Sequence, residues 1–560
     1  MADFDVVVIG SGFGGGVTAC RAAEAGLHVC VLERGRPYPP GSFPRTANGM
    51  QRNFWDPSAG LYGMFDVWSF RGLEGLVSSG LGGGSLIYAN VLLRKDEKWF
   101  VKDGKAGEGH EHWPLDRQEL NPYYDRAEAV LGAVPYPFDR KPYSDTAKTR
   151  AMQSAAKDLG LDWQLPPLAV TFAGPGQEPG EPIPGSSANY HGRTRHTCQL
   201  CGECDAGCNY GSKNSIDFTY ITLAQRHGAD IRPLSEACEI VPLPGGGYEI
   251  TYIMHSLERE GRKVDGETLP TRTVTARAVV VAAGTFGTTY LLLKNRDKLG
   301  DMPALGTRFC GNGDLLTFGL LCREADGGCR TMDASRGPVI TSAIRGADAL
   351  DGNGATGRGF YIEDAGYPAF ISFLVEMSNT PGVLARTLRV AARRLLALLR
   401  SDRRSQLSAQ VSALIGDCAL SSSSIPLLGM GRDLPDGRMT LADGWLDIDW
   451  RVKNSEPYFR RVRDTMRQLV HAWGGRFHDN PLWFMRRVIA VHPLGGCPMG
   501  RHAAEGVVNA DGEVFNNPGL YVADGAVMPG PVGANPSLTI AAIAERTAER
   551  MVASLRGPAR

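Results

Sequence analysis

The segment Asp5-Val6-Val7-Val8-Ile9-Gly10-Ser11-Gly12-Phe13-Gly14-Gly15-Gly16 restricts the fold of this chain more than any other stretch. Its run of β-branched residues predicts a buried strand. A glycine turn follows at once, then an Ala-rich helix over residues 17–25. A second strand over residues 27–32 ends at Glu33. Gly-x-Gly-x-x-Gly between a strand and a helix, with an acid about 20 residues further on, is the layout of a dinucleotide site. Gly10 permits the tight turn, Gly12 lets backbone approach a pyrophosphate, and Gly15 lets helix and strand pack closely. Ser11 and Gly16 complete the turn. The helix N-terminus offers free N–H groups and a favourable dipole to phosphate. Glu33 is placed to accept hydrogen bonds from an adenosine ribose. The unit predicts an α/β fold and leaves open which dinucleotide it takes.

Distant segments narrow that choice. Residues 80–90 form a second Gly-rich turn containing Gly82, Gly83, Ser85 and Asn90. Residues 278–285 read as a strand running into a small-residue turn at Ala283 and Gly284. Residues 520–525 read as a strand that ends at Asp524 and Gly525, with the carboxylate set to hold a ribityl hydroxyl. A sheet built from both ends of the chain brings these turns to one edge, where ligands bind. Together they argue for FAD.

At 560 residues, two joined domains are expected. Lys plus Arg equals Asp plus Glu, so no global charge favours a nucleic-acid partner. No basic n-region precedes the first strand and no apolar run is long enough to span a bilayer. A cytoplasmic protein is therefore expected, with its 12 cysteines mostly thiols or ligands.

These glycine turns, together with Val491-His492-Pro493-Leu494-Gly495-Gly496-Cys497 and Asn535-Pro536, resemble the glucose–methanol–choline (GMC) oxidoreductase family. The likeness covers nearly the whole chain and is strongest to its bacterial cholesterol oxidase-like branch. It implies a discontinuous Rossmann-like FAD domain (1–130, 215–300 and 491–560), a connector with a Cys-rich loop (131–214), and an α+β substrate-binding domain (301–490). Cys238, Asn535, Pro536 and Thr539 join the turn residues as candidate FAD contacts.

The resemblance implies oxidation of a hydrophobic secondary alcohol, with a 3β-hydroxysterol as the first substrate to consider. His492 and Asn535 match the family's His–Asn pair. An imidazole suits proton removal because its pKa lies near working pH. Asn535 can hydrogen-bond the hydroxyl or the flavin without changing charge. Glu363, in Phe360-Tyr361-Ile362-Glu363-Asp364, aligns with the glutamate that moves a double bond from Δ5 to Δ4. Two other readings stand beside that one: Glu376 as the acid, or Glu363 and Asp364 as a surface pair. Oxygen or another electron acceptor completes the reaction. The alternatives are a dehydrogenase feeding an iron–sulfur cluster or quinone, and a flavin-scaffolded isomerase without net oxidation.

Cys198, Cys201, Cys204 and Cys208 have ferredoxin-type spacing, with Asn209 where proline usually stands. One reading is an iron–sulfur cluster. The other is a braced loop, held by thiol packing, a disulfide or zinc. Residues 384–399 read as a basic amphipathic helix, either an ordinary surface helix or a peripheral membrane contact.

Overall fold

Val6, Val7, Val8 and Ile9 are all buried, so the first strand is covered on both faces, as a central parallel strand must be. The computed structural model describes residues 2–101, 111–262, 269–350, 358–368 and 420–557. Strand β1 (Phe4–Ile9) lies between β2 (Val29–Leu32) and β3 (Thr271–Val281), parallel to both. The seven-stranded sheet gains Asp230–Arg232 beside β2 and Leu520–Val522 beside β3, again in parallel. Strand β3 has two characters. Its first part pairs antiparallel with Tyr248–Met254 and is partly exposed, while Val279, Val280 and Val281 are wholly buried between β1 and Leu520–Val522. Three distant segments thus end side by side on one sheet edge.

Three helices start from that edge: α1 (Phe13–Glu24), α2 (Gly284–Lys294) and α3 (Ser537–Arg556). Helix α3 is clamped to α1 by Arg21, whose Nε and Nη2 lie 2.7 and 2.8 Å from the two carboxylate oxygens of buried Glu545. Tyr220 donates its hydroxyl to the same carboxylate at 2.7 Å.

The second sheet is antiparallel. It runs in the order Arg476–Asp479, β4 (Leu315–Leu320), Ile425–Gly431, β5 (Phe360–Asp364), Ala343–Arg345, Asp162–Gln164. The helix Glu456–Ala472 covers it with Tyr458, Phe459, Val462, Met466, Leu469 and Val470, the i, i+4 stripe of an amphipathic helix. Asp162–Gln164 comes from the 131–214 stretch expected to be a connector. That stretch also supplies the helix Ala147–Leu159, whose Ala151, Met152, Ala155 and Ala156 enter the same core. Among the described residues no helix is long and apolar enough to cross a membrane. Glu376 and the helix expected at 384–399 lie outside the described residues.

Candidate functional site

The sheet edge carries a cradle of backbone. Gly14 fits because a Cβ there would stand 2.0 Å from the Ala523 carbonyl oxygen. Gly10, at φ +98°, would meet the Ala282 oxygen at 2.3 Å. The first turn is therefore pressed against the ends of β3 and Leu520–Val522. A Cβ at Gly83 would lie 2.6 Å from the Gly12 Cα, which brings the second Gly-rich turn against the first. Gly84 and Gly284, in contrast, have no protein atom within 4 Å of an added Cβ. Helices α1 and α3 begin after Gly12 and Pro536 without a side-chain cap, so their first N–H groups are open to an anion. Open space bounded by glycine turns and uncapped helix ends fits a dinucleotide pyrophosphate.

The side chains expected there mostly brace the cradle. Ser11 donates its hydroxyl to Glu33 at 2.7 Å and accepts from the Gly82 N–H at 2.9 Å. Glu33 accepts the Gly35 N–H at 2.8 Å, and burial raises its carboxyl above the usual range. Ser85 donates to the Gly82 carbonyl and accepts from the Ile216 N–H. Gly16 is packed against Ile216, and Asn90 is buried with φ +70°. Asp524 takes N–H groups from Gly284 and Ala526, 2.8 and 2.9 Å away, and the Thr288 hydroxyl at 2.5 Å. Burial pushes it up to about 6. Gly525 opens the short turn that follows, next to Thr285. Thr539 shares a 2.9 Å hydrogen bond with Tyr124 instead of facing the open space unpaired. Cys238 sits at the bulge between Ser235–Pro242 and Tyr248–Met254, where its thiol donates to the Thr251 carbonyl. The ladder between those two strands holds that side chain, not the glycine turns.

His492 and Asn535 lie on either side of Leu520–Val522 in the chain. His492 follows Val488–Ala490 and keeps 16% of its side chain exposed. Its Nδ1 lies 2.7 Å from Asp314 Oδ1. Asp314 Oδ2 accepts the backbone N–H of Val491 at 2.7 Å and of His492 at 2.8 Å. Asn535 lies two residues before the start of α3 and is buried. Its Nδ2 donates to Glu363 Oε2 at 3.3 Å. The Asn535 Oδ1 and Glu363 Oε1 atoms are buried with no hydrogen-bond partner in the protein. Two such atoms, one acceptor-only and one on a carboxyl, mark a place for a polar ligand group.

Glu363 and Asp364 are not a surface pair: both are fully buried on β5. Successive strand residues point to opposite faces. Glu363 meets Asn535, while Asp364 accepts N–H groups from Thr341 and Ser342 at 2.9 and 2.7 Å. Burial pushes the Glu363 carboxyl up to about 8; the Asn535 hydrogen bond works against this, and the Asp364 and Asp314 charges add to it. Asp314 and Asn312 are functional candidates that sequence reasoning missed. Their only signal is an acid in an Asn/Gly turn between two strands.

The iron–sulfur and zinc readings of Cys198, Cys201, Cys204 and Cys208 find no support. Among the described residues no three His, Cys, Asp or Glu side chains stand where they could hold a metal ion. All four thiols are free. Burial pushes the Cys201 thiol up to about 12 and raises Cys198 and Cys204 as well, as thiols packed in a protein interior are expected to be. The loop is a brace instead. Buried Lys213 donates to the Leu86 carbonyl at 2.9 Å and the Cys204 carbonyl at 2.7 Å, tying the loop to the second glycine turn. Asn209 pairs with the backbone N–H and carbonyl of Phe43. Arg45 donates to Glu203 at 2.8 Å and to the Ala206 carbonyl at 3.1 Å.

Known proteins resemble this chain along most of its length. The FAD binding domain model matches residues 5–39, and the GMC oxidoreductase model matches residues 436–544. A cholesterol oxidase of Mycobacterium tuberculosis (strain ATCC 25618 / H37Rv) is 30% identical over 98% of this chain and 90% of its own length. A cholesterol oxidase of Acinetobacter baumannii is 26% identical over 97% of this chain and 93% of its own. A fungal aryl-alcohol oxidase structure superposes with a TM-score of 0.57 at 17% identity, covering 100% of both chains, a likeness of fold.

Proposed function

Because the chain belongs to the GMC oxidoreductase family, in its cholesterol oxidase-like branch, we propose that it oxidises a hydrophobic secondary alcohol of the 3β-hydroxysterol class. Oxygen is the electron acceptor in this reading. The observation that carries it is the hydrogen bond between Asn535 and Glu363, which leaves Asn535 Oδ1 and Glu363 Oε1 buried without a protein partner. Bound FAD supplies the hydride acceptor; the glycine turns at Gly10–Gly12, Gly82–Gly84 and Gly284 and the open ends of α1 and α3 would hold it. His492 takes the hydroxyl proton. Asn535 orients the hydroxyl through its amide and keeps Glu363 in place. A carboxyl near pKa 8 populates both protonation forms around neutral pH, so Glu363 is suited to carry a proton between two carbons of the product. That step is the Δ5 to Δ4 isomerisation. Burial on β5 shields it from water, which would otherwise exchange with the transferred proton.

The test is product analysis with a Δ5-3β-hydroxysterol in air. The expected result is the conjugated Δ4-3-ketone and one peroxide per ketone. No ketone from a protein whose flavin is reduced by other alcohols would remove the sterol assignment. Ketone without peroxide would remove oxygen as the acceptor.

A further inference from the structure

An imidazole has two ring nitrogens, and the reading above needs one of them unprotonated toward the substrate hydroxyl. The turn Asn312-Gly313-Asp314, between Thr307–Cys310 and β4, decides which. We propose that Asp314 is a positioning residue that keeps the proton of His492 on Nδ1 and so leaves Nε2 as the free lone pair. The proposal rests on His492 being the base.

Counting the hydrogen-bond donors around Asp314 fixes where the ring proton sits. An ionised carboxylate only accepts hydrogen bonds. Asp314 Oδ2 is taken by the backbone N–H groups of Val491 and His492, and Oδ1 faces His492 Nδ1 at 2.7 Å. All three contacts are satisfied together only if Nδ1 carries the proton. Asp314 is 0% exposed at its side chain, so water cannot replace the imidazole as the third donor. Local backbone holds the carboxylate still. Gly313 gives its carbonyl to the buried Tyr458 hydroxyl at 2.9 Å, and Gly311 donates its N–H to Asp433 at 2.9 Å.

The same turn reaches the other half of the pair. Asn312 donates Nδ2 to the Ala534 carbonyl at 2.9 Å and accepts the Gly533 N–H at 2.8 Å. Three consecutive residues therefore set His492 and Asn535 relative to each other. When the substrate O–H bond breaks, an Nε2–H bond forms and the imidazole becomes imidazolium. Its Nδ1 proton stays in place, and Asp314 stays a carboxylate that faces the new positive charge.

Asp314→Asn tests this without depending on turnover alone. Its side-chain oxygen can still serve Val491 and His492 N–H, but the NH2 group then points at Nδ1 and donates to it. The ring proton must move to Nε2, where it blocks proton acceptance. Long-range proton–nitrogen NMR on histidine-labelled, flavin-loaded protein reads the tautomer, with His492→Ala assigning the signal. The expected wild-type state is Nδ1–H, shifting to Nε2–H in Asp314→Asn. Substrate-driven flavin bleaching should slow about 10²- to 10⁴-fold with substrate Kd unchanged, and Asp314→Glu should recover part of the rate. Wild-type His492 protonated on Nε2 overturns the proposal even if the variant fails to fold. So does an unchanged tautomer in a folded variant. Unchanged bleaching in His492→Ala would instead remove the base itself, and the tautomer would then judge Asp314 alone.

Discussion

Glu363→Gln should make the protein more stable at high pH and leave it nearly unchanged at low pH. The Glu363 carboxyl is fully buried, and its pKa rises from the ordinary 4.5 to about 8. Between those values the folded chain keeps a proton that the unfolded chain releases. The contribution to stability is therefore full below pH 4.5 and is lost as pH rises through about 8. Each tenfold change in proton affinity is worth about 1.4 kcal/mol, so the loss approaches about 5 kcal/mol by pH 9. Glutamine copies the neutral acid in shape and carries no proton to lose. Thermal unfolding of wild type and variant, followed at pH 5 and pH 9 with the same flavin occupancy, reads the difference. Other raised carboxyls, such as Asp524 and Asp205 near 6, act equally in both proteins and cancel. The midpoints should nearly coincide at pH 5, where about 1 kcal/mol of the effect is already felt, and the variant should lead by several degrees at pH 9. An equal gap at both pH values would refute the reasoning, because it would show that Glu363 does not titrate between folded and unfolded states as its burial demands.

Gly14→Ala places a methyl about 2.0 Å from the Ala523 oxygen, so strand and helix must separate. A cost of about 1–3 kcal/mol and a fall in bound flavin are expected; the flavin-to-protein absorbance ratio after desalting checks it. Alkylation of unreduced, denatured protein followed by peptide mapping should find Cys198, Cys201, Cys204 and Cys208 all modified as thiols. A missing pair would mean a disulfide and would remove the thiol-brace account of that loop.

The dinucleotide unit was legible in the sequence because its physics is local. A β-branched run, three spaced glycines and a helix with an uncapped start lie within about 20 residues, and no distant contact is needed to read them. The ends of β3 and Leu520–Val522 were legible for a related reason: small residues after a strand leave room for backbone to approach. Three things were not legible. Asp314 reaches His492 across 178 positions, and nothing about an acid in a glycine turn says which histidine it will meet. The four cysteines have ligand-like spacing, yet the loop twists through left-handed Leu200, Gly202 and Gly207 and is pinned by Arg45, Lys213 and Asn209. Spacing along the chain does not record that twist. Glu363 and Asp364 looked alike as neighbours, and only the pleat of a doubly covered strand separates them.

The central claim is that His492 removes the hydroxyl proton at a site where Asn535 and Glu363 meet the substrate. Anaerobic mixing of flavin-loaded protein with a 3β-hydroxysterol, in wild type and in His492→Ala, tests it most directly through the flavin absorbance. The account predicts prompt bleaching in wild type, restored by air, and bleaching slowed by at least about 10²-fold in the variant. Both proteins should still be bleached by dithionite, which shows that flavin is bound and reducible. Equal bleaching rates in the two proteins would contradict the account, because the proton would then leave by a route that does not pass through His492.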